Sequence, residues 1–379
     1  MALVIEKKAL LDLIQKSYPI VPAKSSLQIL SNLQLSLEDG TVEIMATDLD
    51  HSIRVFSKVE SEDSFEVTVN AKKLFEVVRE LHDGPLKIVV DENVVTIESG
   101  GSFVCKIAGA DAHDFPAFPV LEEKKNFEVP LTVLKDLVQK SSFAVSRDES
   151  RACLCGVLWE SDQDSTGMVA TDGHRLGSCF YQDVINVESK LSGIVSPKSL
   201  LHLVRIANAE NPDTVIHVSM GVKYVLFSDE NFTLCSKLIE GPYPDYDKVI
   251  PKNNPKTAVV DRSLMQEAVR RVSVLSNQKT HLVKFSFSHN GLEIAVLNRD
   301  IGGEARQQVP IEWSGEEEHV VGFNALYLSE ILSIIGTDKV RMEMNTQISA
   351  CLLFPVYEEE RQGCRELFLI MPLRIMEER

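Results

Sequence analysis

Ala170-Thr171-Asp172-Gly173-His174-Arg175-Leu176 places an acid, a glycine, a histidine and an arginine inside seven residues. That density invites a catalytic reading. Its first half, however, is echoed twice. Ala46-Thr47-Asp48-Leu49-Asp50 begins 124 residues earlier, and Ala295-Val296-Leu297-Asn298-Arg299-Asp300 begins 125 later. The stretch is therefore one copy of a structural unit that occurs three times.

Further landmarks keep the period. Val69-Asn70-Ala71-Lys72-Lys73-Leu74 matches Val195-Ser196-Pro197-Lys198-Ser199-Leu200 and Val321-Gly322-Phe323-Asn324-Ala325-Leu326, each step being 126 residues. Phe115-Pro116, Tyr243-Pro244 and Met371-Pro372 recur at 128. The repeat, of about 125 residues, is too long for a solenoid and reads as a whole domain. Three domains are expected, at 1–122, 127–250 and 256–379. The joints Glu122-Glu123-Lys124-Lys125 and Pro251-Lys252-Asn253-Asn254-Pro255-Lys256 are short, which suits domains fixed side by side.

Each copy opens on an amphipathic helix. Leu10, Leu11, Leu13 and Ile14 mark it over 6–16. Leu134, Leu137 and Val138 mark it after Pro130. Leu264, Met265, Ala268, Val269 and Val272 mark it behind a capping Asp261. Two or three alternating strands follow, turning at Asp39-Gly40 in the first copy and at Asn290-Gly291 in the third. A second helix comes next, with Leu74, Phe75, Val77, Val78 and Leu81 as its apolar face in the first copy. Leu200, Leu201, Leu203, Val204 and Ala207 form that face in the second, behind Ser196 and Pro197. More strands close the copy, at 86–90, 94–98 and 103–108 in the first and 214–219, 223–228 and 232–238 in the second. The fold class is α+β: three copies of a two-helix, antiparallel-sheet domain.

The chain has 379 residues, 44% apolar and 25% charged, an ordinary composition for a soluble globular protein. No apolar run approaches the ~20 residues of a membrane span. The N-terminus lacks the pattern of a signal peptide, so no membrane association and a cytoplasmic location are expected. Seven cysteines at scattered spacings, five of them in apolar strand-like runs, suit buried thiols in a reducing compartment. Cys153-x-Cys155 has the wrong spacing for zinc, and no metal or other cofactor is expected.

Net charge is −17, which taken alone argues against nucleic acid. Its distribution argues otherwise. The segments 6–16, 71–82, 130–140, 197–208, 261–275 and 324–335 hold thirteen Lys or Arg against eight Asp or Glu. They are either ordinary solvated faces or six helices turned toward one polyanion. So small an excess holds DNA weakly at cellular salt, but it can line a path for sliding if enclosure prevents escape.

The threefold repeat, Ala170 to Leu176, the run Gly241-Pro242-Tyr243-Pro244-Asp245-Tyr246 and the near-terminal Met371-Pro372-Leu373-Arg374 resemble the bacterial sliding clamp, the beta subunit of DNA polymerase III. The resemblance covers essentially the whole chain. It implies a DNA clamp fold and a head-to-tail homodimer closing into a six-domain ring around duplex DNA, with strands outside and twelve helices lining the hole. The ring would bind DNA without regard to sequence. Polymerases, the clamp loader and repair proteins would insert a short peptide into a pocket between the second and third domains. Carried over residue by residue, one wall is Leu154, Thr171, Gly173, His174, Arg175 and Leu176, extended by Pro244, Lys248 and Val249. The third domain adds Asn324, Tyr327, Ile348, Ala350, Met371, Pro372, Leu373 and Arg374. The resemblance points to DNA contact by Lys24, Lys72, Arg147, Asp148 and Lys198. Asp148, Ala152 and Cys153 stand where some relatives carry polar or aromatic DNA-contacting groups, and Thr280 replaces an aromatic of some pockets. Glu358 to Gly363 reads as an enlarged hairpin, and Met376 to Arg379 as an extension.

Two other readings compete. Asp48, Asp50, His51, Asp172, His174 and Asp300 can be drawn as a metal or acid–base set. The repeat weakens it, because the third copy has no histidine and His51 is one residue out of register with His174. No glycine-rich phosphate loop or nucleophile elbow is present, so a non-catalytic processivity factor is expected. A scaffold that binds proteins without encircling DNA stays open.

Overall fold

The computed structural model describes residues 1–185, 187, 190–207, 213–359 and 363–375. Residues 360–362 of the expected enlarged hairpin, the extension 376–379 and Asn208 at the end of the fourth helical segment lie outside the described residues.

All six expected helices form: α1 (Lys7–Ser17), α2 (Ala71–Glu80), α3 (Leu131–Ser141), α4 (Pro197–Ile206), α5 (Arg262–Ser273) and α6 (Ala325–Ile334). Leu10, Leu13 and Ile14 of α1 and Leu74 and Val78 of α2 are buried, each worth about 2 kcal/mol. Asn70, Asp261 and Asn324 cap α2, α5 and α6 by accepting backbone N–H groups of the first turn. Two expected apolar positions are corrected. Leu201 and Leu264 are exposed, and on α4 His202 is buried instead. A helix period of 3.6 groups residues 199, 200, 203 and 206 on one face, which leaves residue 201 outside.

The expected strands form, and an additional one leads each copy: Ala2–Glu6, Lys125–Pro130 and Lys256–Asp261. The joints are accordingly shorter than expected, since Lys125 and Lys256 already belong to strands. Each copy is thus two β-α-β-β-β halves, with one further short strand, Ile311–Trp313, after the first half of the third copy. The halves exchange their leading strands. Ala2–Glu6 pairs with Pro85–Asp91 of the second half, and Phe65–Asn70 pairs with Asn32–Glu38 of the first. The same exchange pairs Lys125–Pro130 with Val215–Met220, and Lys256–Asp261 with Lys339–Met344. At the predicted turn after Glu38, Asp39 and Gly40 both take positive φ, 47° and 66°, as a two-residue hairpin requires.

The described residues gather into two compact units, Met1–Thr132 with Lys198–Leu238, and Val133–Pro197 with Ile239–Arg379. Sheet continuity is the reason. His51–Lys58 of the first copy pairs with Phe232–Lys237 of the second, making one twelve-stranded sheet. Arg175–Gln182 of the second copy pairs with Cys364–Ile370 of the third inside a nine-stranded sheet. Compact units and sequence repeats are therefore different partitions of the chain.

Candidate functional site

Ala170 to Leu176 is a strand, a turn and the start of the next strand. Asp172 Oδ1 accepts from the backbone of His174 at 2.8 Å and Arg175 at 3.0 Å. Thr171 Oγ1 accepts from Gly173 N at 3.1 Å and donates to Arg175 O at 2.7 Å. The first copy repeats this geometry. Thr47 Oγ1 accepts from Leu49 N and donates to His51 O, each at 3.0 Å, and Asp48 Oδ1 accepts from His51 N at 2.7 Å. In the third copy Asn298 Oδ1 accepts from Asp300 N at 3.2 Å. In each copy a side-chain oxygen, of Asp48, Asp172 or Asn298, holds the turn together, which accounts for the recurrence of the pattern.

Around the second turn several expected pocket residues meet. Met371 N donates to His174 O at 2.7 Å, and Leu373 N donates to Gly322 O at 2.8 Å. The His174 ring lies over Tyr327 at 6.4 Å, and His174 is exposed. Leu176 and Ala350 share a buried apolar cluster with Val169, Leu352 and Leu369, edged by Tyr246 and Ile250. Pro244 and Val249 are exposed on the segment joined to the turn through Tyr243, whose hydroxyl accepts from Thr171 N at 3.1 Å.

Other members are placed differently. Arg175 is buried, its guanidinium bonded to Asp172 at 3.2 Å, paired with Glu330 and set over Tyr327 at 4.4 Å. Asn324 gives its side-chain oxygen to Leu326 and Tyr327 as the cap of α6. Leu154 is buried, and Ile348 is 70% exposed on the turn before Ala350. Lys248 is tied to Asp245 at 2.9 Å. Pro372 is half-buried, and Met371 and Arg374 are exposed. Sequence reasoning missed Leu369, Glu330 and Phe143, the last lying under Arg175. The apolar run Leu367-Phe368-Leu369-Ile370 was a usable signal for Leu369. Glu330 had none, since it reaches Arg175 across 155 residues.

The proposed DNA-contact residues differ in their freedom. Lys24 is exposed in a loop, and Lys72 stands in the first turn of α2, 3.9 Å from Glu76. Lys198, at the start of α4, is held by Asp48 at 2.6 Å. Burial alone would raise the Asp48 carboxyl, but hydrogen bonds from His51 and Lys198 outweigh it and hold it well below the usual range. Arg147 is exposed. Asp148 accepts from Ser150 and Arg151, and those bonds keep its carboxyl low and charged. It fixes its own turn and offers a phosphate only repulsion.

Three family descriptions match in order: the N-terminal domain of the DNA polymerase III beta subunit at residues 1–119, the central domain at 128–245 and the C-terminal domain at 247–373. The chain belongs to this family. A beta sliding clamp of Pseudomonas aeruginosa is 30% identical over 375 residues, covering 98% of this chain and 99% of the relative. That of Escherichia coli K12 is 28% identical, covering 99% and 100%. The crystal structure of a Pseudomonas aeruginosa sliding clamp bound to griselimycin superposes with a TM-score of 0.92 at 29% identity, covering 99% of this chain and 100% of that one. The Bacillus subtilis clamp gives 0.90 at 25% identity, covering 99% of each. As a member of the sliding-clamp family, the chain is a DNA sliding clamp of replication. No helix among the described residues is long and apolar enough to cross a membrane.

Proposed function

We propose that two copies of this chain close head to tail into a ring around duplex DNA, in the cytoplasm, and that the ring works mechanically without catalysing a reaction. One regularity of the sheets supports closure. The last strand of the first half of each copy pairs with the last strand of the second half of the next: His51–Lys58 with Phe232–Lys237, and Arg175–Gln182 with Cys364–Ile370. Continuing the rule, Gly303–Val309 of one chain pairs with Phe103–Ala110 of another. Gly303–Val309 is the edge of its four-stranded sheet. Phe103–Ala110 is paired along its length on one side and only at its C-terminal end on the other. Apolar side chains stand out nearby: Phe103 and Val104 on one edge strand, and Ile301 in the turn leading into the other, with Leu297 on the strand beside it. Such edges invite pairing.

In this reading the domains are 1–122, 127–250 and 256–379, and Lys24, Lys72, Arg147 and Lys198 touch phosphates. Asp148 positions its turn. The residues around His174, Met371 and Tyr327 take a short peptide from polymerases, the clamp loader and repair proteins. A tethered polymerase rebinds at high effective concentration, so processivity rises. The test is retention on closed circular DNA after loading by a clamp loader with ATP. Release on linearising the circle is expected. Equal retention on both forms favours the scaffold reading and overturns this one.

A further inference from the structure

Arg175–Gln182 and Cys364–Ile370 run antiparallel, with Cys179 opposite Glu366 and Tyr181 opposite Cys364. The two cysteines are thus diagonal neighbours on one sheet face, and their sulfurs lie 4.0 Å apart. Two side chains of α3 reach that face. Lys140 Nζ bonds the carboxylates of Asp136 and Glu366, and Tyr181 donates to Asp136. Tyr357 donates to Glu366 at 2.7 Å. Neither DNA contact nor the peptide pocket uses any of these groups.

A divalent metal is one reading, since Asp136, Cys179 and Cys364 offer donor atoms within 4.8 Å of one another. The donor set speaks against it. Asp136 Oδ2 already accepts from Lys140 and Tyr181, and Glu366 Oε1 accepts from Lys140, Tyr357 and the Cys364 thiol. Burial would strip the Lys140 ammonium of its proton, but its bonds to Asp136 and Glu366 keep it charged. A metal would have to displace a buried, paired cation. The thiols are the reactive part of the cluster.

We propose that Cys179 and Cys364 are an oxidant-reactive dithiol that closes to a disulfide between the two strands, with a hydroperoxide as co-substrate. Cys364 is partly exposed and meets the oxidant first, whereas Cys179 is buried. The Cys364 sulfur attacks the peroxide, breaking the O–O bond and forming an S–O bond. Its thiol proton leaves with the departing hydroxide as water, and the product is a sulfenic acid. The Cys179 sulfur then displaces the sulfenic hydroxyl, which leaves as a second water with the Cys179 proton. Two thiols and one hydrogen peroxide give one disulfide and two waters. The Cys364 thiol, together with burial, keeps Cys179 protonated, so it waits until Cys364 is oxidised. The adjacent Lys140 charge then favours its thiolate.

Bonded sulfurs stand about 2.05 Å apart, so the pair must close by roughly 2 Å. Diagonal strand neighbours reach that distance with some shear of the strands, and a strained bond is readily reduced. The link would join residues 185 apart and bridge the second and third copies of the repeat.

The test treats the full-length reduced protein with hydrogen peroxide, alkylates it, and maps its peptides by mass spectrometry. Expected is a Cys179–Cys364 linked peptide, about 2 Da lighter than the two thiol peptides together and restored by dithiothreitol. Cys364→Ser should abolish the link, and Cys179→Ser should leave a sulfenic acid on Cys364 that dimedone traps. If Cys179→Ser fails to fold, the map of the unmodified sequence decides alone. Oxidation confined to other cysteines, irreversible over-oxidation of Cys364 while Cys179 stays reduced, or one zinc per chain protecting both thiols would overturn the proposal.

Discussion

Gly173 sits at φ 90° in the turn after Thr171, and Leu49 occupies the equivalent place at φ 78° in the first copy. A side chain is thus sterically admissible there, at the cost of backbone strain. A Cβ added at Gly173 would meet nothing nearer than the Arg151 guanidinium at 3.5 Å. Gly173→Ala is therefore expected to lose about 1 kcal/mol in urea denaturation, from strain alone. Two buried histidines set a pH dependence. Burial, aided by Arg205, pushes His202 down to about 4, and burial with Lys256 does the same to His319, from an ordinary 6.5. Between those values the unfolded chain binds the proton and the folded chain does not. Their contribution is complete above pH 6.5 and is lost as pH falls toward 4. Melting temperature should drop across that window, and His319→Phe should make the drop shallower. An unchanged slope would mean that His319 is protonated in the folded chain.

Short elements carry the proposed pocket, and its proposed last wall is a few residues of extended chain. Met371 to Arg374 are anchored by two backbone bonds, to His174 and to Gly322. Ending the chain after Ile370 removes that wall while leaving the paired strand Cys364–Ile370 intact. Partner-peptide affinity is expected to fall by about 100-fold in a calorimetric titration, as for loss of central apolar anchors. The dimer should survive, because neither proposed edge lies there. Undiminished affinity would remove this segment from the pocket. The turn opposite carries the Asp172–Arg175–Glu330 pairs.

At the scale of the whole molecule, the proposed ring depends on two sheet edges and the proposed DNA contact on many weak charges. Val104→Asp puts a carboxylate on a strand edge where Val104 is 60% exposed. It should shift the dimer toward monomer in sedimentation velocity without lowering the melting temperature of the monomer. A dimer of unaltered strength would place the interface elsewhere. Lys24→Ala combined with Lys72→Ala removes two of several phosphate contacts. Binding to DNA should weaken by roughly a few-fold, with a shallower salt dependence by about two counterions. Loss of dimerisation instead would make these lysines structural.

By itself the sequence determined the threefold repeat, all six helices, the Asp39-Gly40 and Asn290-Gly291 hairpins and the family, because each is written in local spacing or in motif order. The repeat also weakened the catalytic reading of Asp172 and His174 at that level. Only the tertiary structure decided the rest. The leading strands Ala2–Glu6, Lys125–Pro130 and Lys256–Asp261 were not expected from the sequence, and their partners lie in the other half of each copy. Arg175 is expected in the pocket wall from its motif, and only the fold shows that Glu330, 155 residues away, pairs with it. Lys198 reads as a lone cation in the chain, and only the fold shows Asp48, 150 residues distant, beside it. Cys179 and Cys364 are scattered thiols in the chain and neighbours in the sheet. Local pattern encodes which face of a strand or helix is apolar. Strand pairing across a hundred residues and more depends on which edges find each other, and that choice places the charges and thiols on which chemistry depends.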